Sequence, residues 1–266
     1  MHCLYSETYI KDEHSPWLVF LHGFGGSTKM WKKQLDVFRK QYNLLLLDLP
    51  GHGKSRASLS GLGIKDFSGV ADLVMNTMKA HNIKKASFVC VSLGTMVFAA
   101  IQDKYPKVVN GAILCGAVAG VNRVTQRLLV ILNRVKALFP HTFLLSLFAH
   151  ILLPLQAHKR SRDFFLESGK KLGKAEFLAW FHLVVSNMDI LTNIRHRLKH
   201  VYFITGDEDF TFIRGVKRLT RSVKGCKLAL LRRCGHVCNL QFPVEFNNLS
   251  LYFLKHNVPA ALPAGN

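Results

Sequence analysis

The sequence is short of cysteine and of long apolar runs. Six cysteines in 266 residues are too few for a disulfide scaffold of this size. Because several of them fall in strand-like apolar runs, as buried free thiols do, we expect a reducing compartment and a cytoplasmic protein. The N-terminus has neither a basic start nor a long apolar run, so no signal peptide is expected. The longest apolar stretch, 143–155, is shorter than the ~20 residues that a spanning helix needs, which predicts a buried or interfacial helix.

Acidic residues are scarce as well. Lys and Arg number 36 against 16 Asp and Glu, so the formal net charge is +20. The excess is +6 over 1–118, +7 over 119–196 and +7 over 197–266, which excludes a basic tail as its source. No recognition motif or aromatic-plus-basic pattern accompanies the charge, so we expect no nucleic-acid partner. Weak attraction to anionic membrane surfaces or to acidic substrates remains open, as does the oligomeric state.

Short apolar runs alternate with helix-length amphipathic patterns along most of the chain. This order predicts an α/β fold with a mostly parallel, doubly wound sheet. The runs are continuously apolar, as in strands that helices cover on both faces. The predicted strands are 4–10, 17–21, 43–47, 86–91, 109–115, 201–205 and 227–231, and the predicted helices lie near 28–42, 65–81, 93–105, 213–223 and 245–256.

The alternation stops over residues 120–195, where only helical patterns occur. The patterns are 127–139, 142–155 and 175–191. We therefore predict a core made of 1–119 and 196–257, with residues 120–195 inserted as an all-helical cap over the carboxyl ends of the strands. The last segment, 258–266, is rich in Pro, Ala and Gly and is predicted to be disordered.

A serine stands between a predicted strand and a predicted helix, in Cys90-Val91-Ser92-Leu93-Gly94. A sharp strand-to-helix turn pushes a serine Oγ out at the end of a sheet, where a substrate can reach it. Ser-x-Gly alone is weak evidence, because 15 Ser and 19 Gly predict about one such pair by chance. The weight of the interpretation therefore depends on what else the chain places at strand ends.

Four further segments lie at or just beyond the ends of predicted strands. They are His-Gly-Phe-Gly-Gly-Ser at 22–27, Asp-Leu-Pro-Gly-His-Gly-Lys-Ser at 48–55, Gly-Asp-Glu-Asp at 206–209 and Cys-Gly-His at 234–236. Glycines in the first of these let the backbone pass close to a ligand with N–H groups pointing inward. Because the carboxyl ends of parallel strands share one edge of the sheet, these segments are expected to converge there.

With these segments in this order, the sequence resembles the α/β-hydrolase superfamily, in particular bacterial carboxylesterase-like members with a helical cap. The resemblance covers roughly 17–256 and fades in the cap. It implies Ser92 as the nucleophile, Asp209 as the acid and His236 as the base, in the chain order of that family. The acid of the family usually stands three residues after a glycine, as Asp209 does after Gly206, and Asp207 is the fallback.

The resemblance also implies an oxyanion hole formed by the backbone N–H groups of Phe24 and Leu93. Some aromatic cap residues should line a substrate pocket if the cap covers Ser92. The predicted pocket residues are His22, Gly23, Trp180 and Phe181.

The residue types suit acyl transfer. A serine hydroxyl is a poor nucleophile until a base takes its proton, and a carboxylate fixes the tautomer of that base. We expect a serine hydrolase without cofactor or metal, cleaving a small or lipophilic carboxylic ester. Two alternatives stay open: a ligand sensor that keeps the triad and binds a small molecule under the cap, and a C–C bond hydrolase or lyase on the same scaffold.

One position departs from the pattern of the family. Cys90 stands where the first glycine of Gly-x-Ser-x-Gly belongs. This position packs tightly beneath the turn, and a cysteine is small enough to fit. We expect the nucleophile to be retained, with the geometry at Ser92 as the feature to examine.

Two other motifs invite interpretations that the sequence does not support. Gly-Lys-Ser at 53–55 resembles the end of a phosphate-binding loop, but Asp48 stands where that loop requires a glycine. Cys-x-His-x-Cys at 234–238 suggests zinc, yet the spacing matches no common site and no second ligand pair follows. We interpret the first as a structural turn and assign His236 of the second to the triad.

Overall fold

A seven-stranded sheet forms the centre of the computed structural model, which describes residues 2–121 and 123–258. The strands are β1 (Ser6–Tyr9), β2 (Trp17–Leu21), β3 (Asn43–Leu47), β4 (Ala86–Val91), β5 (Val109–Cys115), β6 (Val201–Gly206) and β7 (Cys226–Leu231). Their spatial order is β1-β3-β2-β4-β5-β6-β7. β1 pairs antiparallel with β3, and every other pairing is parallel. The predicted mostly parallel sheet is confirmed.

Helices cover both faces of this sheet. In chain order they are α1 (Lys32–Phe38), α2 (Phe67–Ala80), α3 (Leu93–Lys104), α4 (Arg123–Val135), α5 (His141–Leu152), α6 (Lys159–Gly169), α7 (Lys174–Ser186), α8 (Ile190–Asn193), α9 (Ile213–Ser222), α10 (Cys238–Gln241) and α11 (Pro243–Asn257). The coverage explains the continuous apolar runs: every residue of β3 and β4 is buried, whereas the edge strand β7 is half-buried to exposed.

The predicted strand boundaries lie within two residues of the observed ones. The helix prediction differs at several places: α4 begins and ends four residues before the predicted 127–139, the predicted 175–191 is divided between α7 and α8, and α10 was not predicted. The predicted helix near 28–42 is a 3-10 turn, Thr28–Trp31, followed by α1, which ends at Phe38. α6 was not predicted, because its polar sequence, with five charged residues among eleven, shows too weak an apolar repeat to stand out.

The segment 120–195 contains helices α4 to α8 and no strand among its described residues. It connects β5 to the 3-10 turn before β6, as the sequence predicts. The division of the chain into a core and a separate cap stays a prediction, and the predicted disordered tail lies, from residue 259 onward, outside the described residues. We refer to 120–195 as the cap segment.

The apolar stretch near 143–155 corresponds largely to α5. Leu144, Leu145 and Ala149 of this helix are buried, while Phe143 and Leu147 are exposed. Among the described residues, no helix combines the length and the apolar character needed to cross a bilayer. The helix therefore has one buried side and one apolar side that faces solvent.

We predict that Gly94→Ala destabilises the fold by about 1–3 kcal/mol. A Cβ at position 94 would lie 2.2 Å from the backbone oxygen of Leu21, so α3 and β2 would have to move apart. Gly173→Ala is the matched control, because nothing lies within 4 Å of a Cβ there. Urea unfolding followed by circular dichroism measures both variants. Equal midpoints for the two would contradict the close approach of α3 to β2.

Candidate active site

Ser92 occupies a strained turn between β4 and α3. Its backbone φ is 50° and ψ is −110°, a conformation that non-glycine residues rarely adopt. The turn is held by neighbouring groups: the N–H of Ser92 donates to the Cys115 oxygen at 3.0 Å, and Thr95 Oγ1 donates to the Ser92 oxygen at 2.6 Å. These hydrogen bonds hold the strained turn and so fix the direction of the Ser92 side chain at the end of β4.

The structure brings Ser92, His236 and Asp209 into one hydrogen-bonded row. His236 Nε2 lies 2.8 Å from Ser92 Oγ, and His236 Nδ1 lies 2.8 Å from Asp209 Oδ2. Asp209 is fully buried and His236 is 2% exposed. Since a carboxylate accepts, Nδ1 carries the proton and Nε2 is left to accept from the Ser92 hydroxyl.

The acidic residues at 207–209 point in different directions. Asp207 is exposed, and its N–H donates to the Leu231 oxygen at 3.0 Å. Glu208 Oε2 lies 2.9 Å from His158 Nε2. Asp209 is therefore the carboxylate of this group that the structure places against His236.

The glycine-rich loop at 22–27 lies directly against Ser92. A Cβ at Gly23 would be 3.4 Å from the Ser92 Cβ, which is van der Waals contact and shows how near the loop lies to the serine. The loop folds on itself through the N–H of Gly26, which donates to the Gly23 oxygen at 2.9 Å. Phe24 of this loop and Leu93 line the same small cavity as Ser92. Leu93 is the first residue of α3, so its N–H has no intrahelical acceptor.

Two buried histidines join this loop to the segment that follows β3. His22 Nε2 accepts the N–H of Leu49 at 3.0 Å, and His52 Nε2 accepts the N–H of Gly25 at 3.0 Å. In each ring Nδ1 donates to a backbone oxygen, that of Gly23 for His22 and that of Pro50 for His52. Burial lowers the pKa of His22 to about 4 and that of His52 to about 3. Both rings are therefore neutral at pH 7.

The cavity beside Ser92 is small and apolar. Its volume is about 10 Å³, room for about one water molecule. Its lining consists of Phe24, Ser92, Leu93, Met96, Val118, Phe148, Val184 and Phe212. Larger cavities of about 360 and 460 Å³ lie elsewhere, and none of the three residues of the hydrogen-bonded row lines them. An ester is larger than this cavity, so a substrate that occupies it requires the lining side chains to move, among them Phe148 and Val184 of the cap segment.

The four predicted pocket residues do not line this cavity. Two of them, His22 and Gly23, belong to the glycine-rich loop. Trp180 packs against the edge of the His52 ring and donates from Nε1 to the Pro50 oxygen at 3.0 Å. Phe181 packs behind Phe148, a residue that does line the cavity, with 6.2 Å between the two ring centroids. The sequence pattern identified aromatic helix positions but could not tell which of them turn toward Ser92.

A family model described as the alpha/beta hydrolase family matches residues 18–249, most of the chain. The chain belongs to the alpha/beta hydrolase family. Among curated proteins, it is similar to a 2-succinyl-6-hydroxy-2,4-cyclohexadiene-1-carboxylate synthase of Klebsiella pneumoniae subsp. pneumoniae, with 37% identity over 112 residues. That match covers 42% of this chain and 42% of the synthase, so it spans less than half of either protein.

Solved structures of the same fold match nearly the whole chain. A hydrolase from Pseudomonas aeruginosa PA01 has a TM-score of 0.79 at 19% identity, covering 94% of this chain and 93% of that one. MenH from S. aureus has a TM-score of 0.77 at 17% identity, covering 95% of this chain and 98% of that one. At these identities the likeness shows the fold.

Within this family fold, the cap segment also touches the loops that carry the acid and the histidine. His158, just before α6, is fully buried, and its Nε2 lies 2.9 Å from Glu208 Oε2. A Cβ at Gly235 would meet the His158 ring at 3.0 Å. No pattern in the sequence indicates this contact, because His158 lies far from both loops along the chain.

Cys90 does not disturb the turn above it. The residue is fully buried in β4, and burial raises the pKa of its thiol well above the ordinary value. Ser92 still lies within hydrogen-bond distance of His236. The substitution of cysteine for the usual glycine is therefore compatible with the geometry of the row, and all six cysteines are free.

We predict that the protein loses stability as the pH falls from about 6.5 to 4. Both buried histidines have folded pKa values, about 4 and about 3, below the ordinary 6.5. The unfolded chain therefore binds more protons in this range, which costs about 1.4 kcal/mol per pH unit for each histidine. His52→Gln should reduce this slope, measured by urea unfolding across the range. The exposed His256→Gln is the control, and equal slopes for the two variants would contradict the role of His52.

Proposed function

We propose that this protein is a serine hydrolase that cleaves a carboxylic ester with a small or lipophilic apolar group. The observation that carries the proposal is the hydrogen-bonded row of Ser92, His236 and Asp209, whose serine lines an apolar cavity. A serine needs an adjacent base to become a nucleophile, and here the base is oriented by a buried carboxylate. The parts required for acyl transfer therefore lie within reach of one another.

The reaction would run in two halves. Ser92 Oγ attacks the ester carbonyl while His236 Nε2 takes its proton, and His236 then gives that proton to the leaving alcohol. Water, activated by the same nitrogen, attacks the acyl-enzyme and releases the acid and free Ser92. Asp209 keeps Nδ1 protonated and stabilises the imidazolium, so His236 does not turn its ring between steps.

The oxyanion formed in each half needs donors that are already in place. The N–H groups of Phe24 and Leu93 are our candidates, because both residues line the cavity of Ser92. Leu93 begins α3, whose N-terminus carries partial positive charge. Loss of one such donor typically costs about 10²–10³ in rate. The two histidines behind the loop would act as positioning residues for Phe24.

The lining of the cavity bears on the substrate. All of its residues except Ser92 carry apolar side chains, and no cationic side chain lines it. The curated relatives are named for making a carboxylate product, and a carboxylate bound here would be desolvated without a partner. An apolar acyl or alkyl group suits the lining better.

The C–C hydrolase or lyase reaction remains the second candidate, favoured by the 37% identical stretch. The ligand-sensor alternative stays a prediction.

We predict that a fluorophosphonate probe labels the wild-type protein and fails to label Ser92→Ala. Phosphonylation needs a serine activated by a base, and Ser92 is the hydroxyl placed against His236. Ser186→Ala, which alters an exposed serine at the end of α7, is the matched control and should label normally. In-gel fluorescence measures the labelling. Equal labelling of wild type and Ser92→Ala would remove the nucleophile assignment.

Substrate comparison separates the two candidate reactions. Initial rates on short p-nitrophenyl esters are compared with rates on a vinylogous diketone, which reports C–C bond hydrolysis. Turnover of esters alone supports the proposal. Turnover of the diketone without the esters would replace it by the second candidate.

We predict that Asp209→Asn lowers kcat on a p-nitrophenyl ester by about 10³–10⁴, while Asp207→Asn changes it by less than about twofold. An amide at 209 can present its NH₂ to Nδ1, which favours the wrong tautomer of His236. Asp207 is exposed and touches neither His236 nor Ser92. Steady-state kinetics on the purified variants measure the difference. A large loss in Asp207→Asn with an active Asp209→Asn would exchange the two assignments.

A further inference from the structure

Helix α4 presents an apolar stripe to solvent. Val124, Leu128 and Ile131 are 77%, 55% and 58% exposed, and their i, i+4, i+7 spacing places them on one face of the helix. Leu129, on the opposite side, is the one residue of α4 that is buried. Asn133 on that side contacts His182 of α7 at 3.1 Å. α4 therefore packs on α7 by one side and exposes its apolar stripe by the other.

The exposed apolar surface continues past the end of α4. Leu138 is 80% exposed, and the ring of Phe139 stacks on that of Phe143 at 5.5 Å between centroids. Phe143 and Leu147 of α5 are 50% and 37% exposed. We call Val124, Leu128, Ile131, Leu138, Phe143 and Leu147 the cap face. A surface of this kind indicates an interaction partner.

The helices that carry the cap face, α4 and α5, and the turn between them hold charged side chains of one sign only. Between Asp103 and Asp163 the sequence has no acidic residue but nine lysines and arginines. Arg127 and Arg134 follow Val124 and Ile131 by three positions, which places them along one edge of the apolar stripe. Both arginines are exposed. An apolar helix face bordered by arginine is the pattern of helices that lie in the interface of an anionic membrane.

The charge pattern also decides between a membrane and a second copy of this chain. In a two-fold dimer the same patch meets itself, so the arginines of two copies would be brought together. Residues 123–152, which carry the cap face, include no acidic residue to pair with them. An anionic lipid surface supplies both the apolar phase and the opposite charge.

We propose that the cap face seats α4 and α5 in the headgroup–acyl boundary of an anionic bilayer, and that a lipophilic ester enters the site from the lipid. α5 links the cap face to the site: Phe143 and Leu147 are exposed, whereas Phe148 lines the cavity at Ser92 and packs against Phe24. Movement of α5 at the membrane would shift Phe148 and enlarge this small cavity. The entry of the ester rests on the proposed function; the seating of the cap face does not.

Vesicle flotation with the full chain tests the seating. We expect the wild type and Ser92→Ala to float with phosphatidylcholine vesicles that contain phosphatidylglycerol, and much less with phosphatidylcholine alone. High salt should weaken the binding by screening the arginines. The double variant Leu128→Asp/Ile131→Asp should lower the partition coefficient at least about tenfold, because two apolar side chains no longer insert. Val244→Asp, at a 65% exposed position of α11, is the matched control and should float like the wild type.

Three results would overturn the proposal. They are a wild type that does not float with the anionic vesicles, a double variant that floats as well as the wild type, and a wild-type dimer in light scattering that the double variant dissociates. Circular dichroism checks that the double variant is folded. If the protein floats with the vesicles, as wild type and as Ser92→Ala, but the wild type turns over no ester, the membrane seating of the cap face stands and the proposed esterase function does not. The rate on an ester held in vesicles is divided by the rate on an ester dissolved in water. A lower value of this ratio in the double variant than in the wild type supports entry of the ester from the lipid.

Discussion

The strained backbone at Ser92 is the constraint on which the site depends. A positive φ at a serine persists only where the surroundings over-determine it, and here β4, β5 and α3 hold it through hydrogen bonds to Cys115 and Thr95. α3 can leave the strand at this angle because Gly94 lets it approach the Leu21 backbone closely. The position of the serine therefore follows from sheet packing.

The other groups reach Ser92 because parallel strands end at one edge of the sheet. The loops after β2, β6 and β7 bring Gly23, Asp209 and His236 to the end of β4. Burial keeps His22 and His52, the histidines that hold the glycine-rich loop, neutral. The buried carboxylate of Asp209 faces Nδ1 of His236. A rigid sheet thus carries the polar parts, and the cap segment supplies apolar walls that have to move.

The strands were predictable because burial on both faces leaves a continuous apolar run, as in Leu-Leu-Leu-Leu at 44–47. The members of the row were predictable through the resemblance, since each follows a strand. The pocket was less accessible to prediction. Trp180 and Phe148 both lie on helices with apolar repeats, yet Trp180 bonds to the Pro50 oxygen and Phe148 faces Ser92. A repeat gives the buried side of a helix and leaves its neighbours undetermined.

The sequence by itself determined the alternation of strands and helices, the all-helical character of 120–195 and the order of the serine, acid and histidine, because these are local patterns. Tertiary structure alone decided that Asp209 rather than Asp207 meets His236, that His158 contacts Glu208, and which apolar side chains line the small cavity at Ser92. Those results depend on distances between residues far apart in the chain. The same holds for the cap face, since an apolar residue shows whether it is buried only once its neighbours are in place.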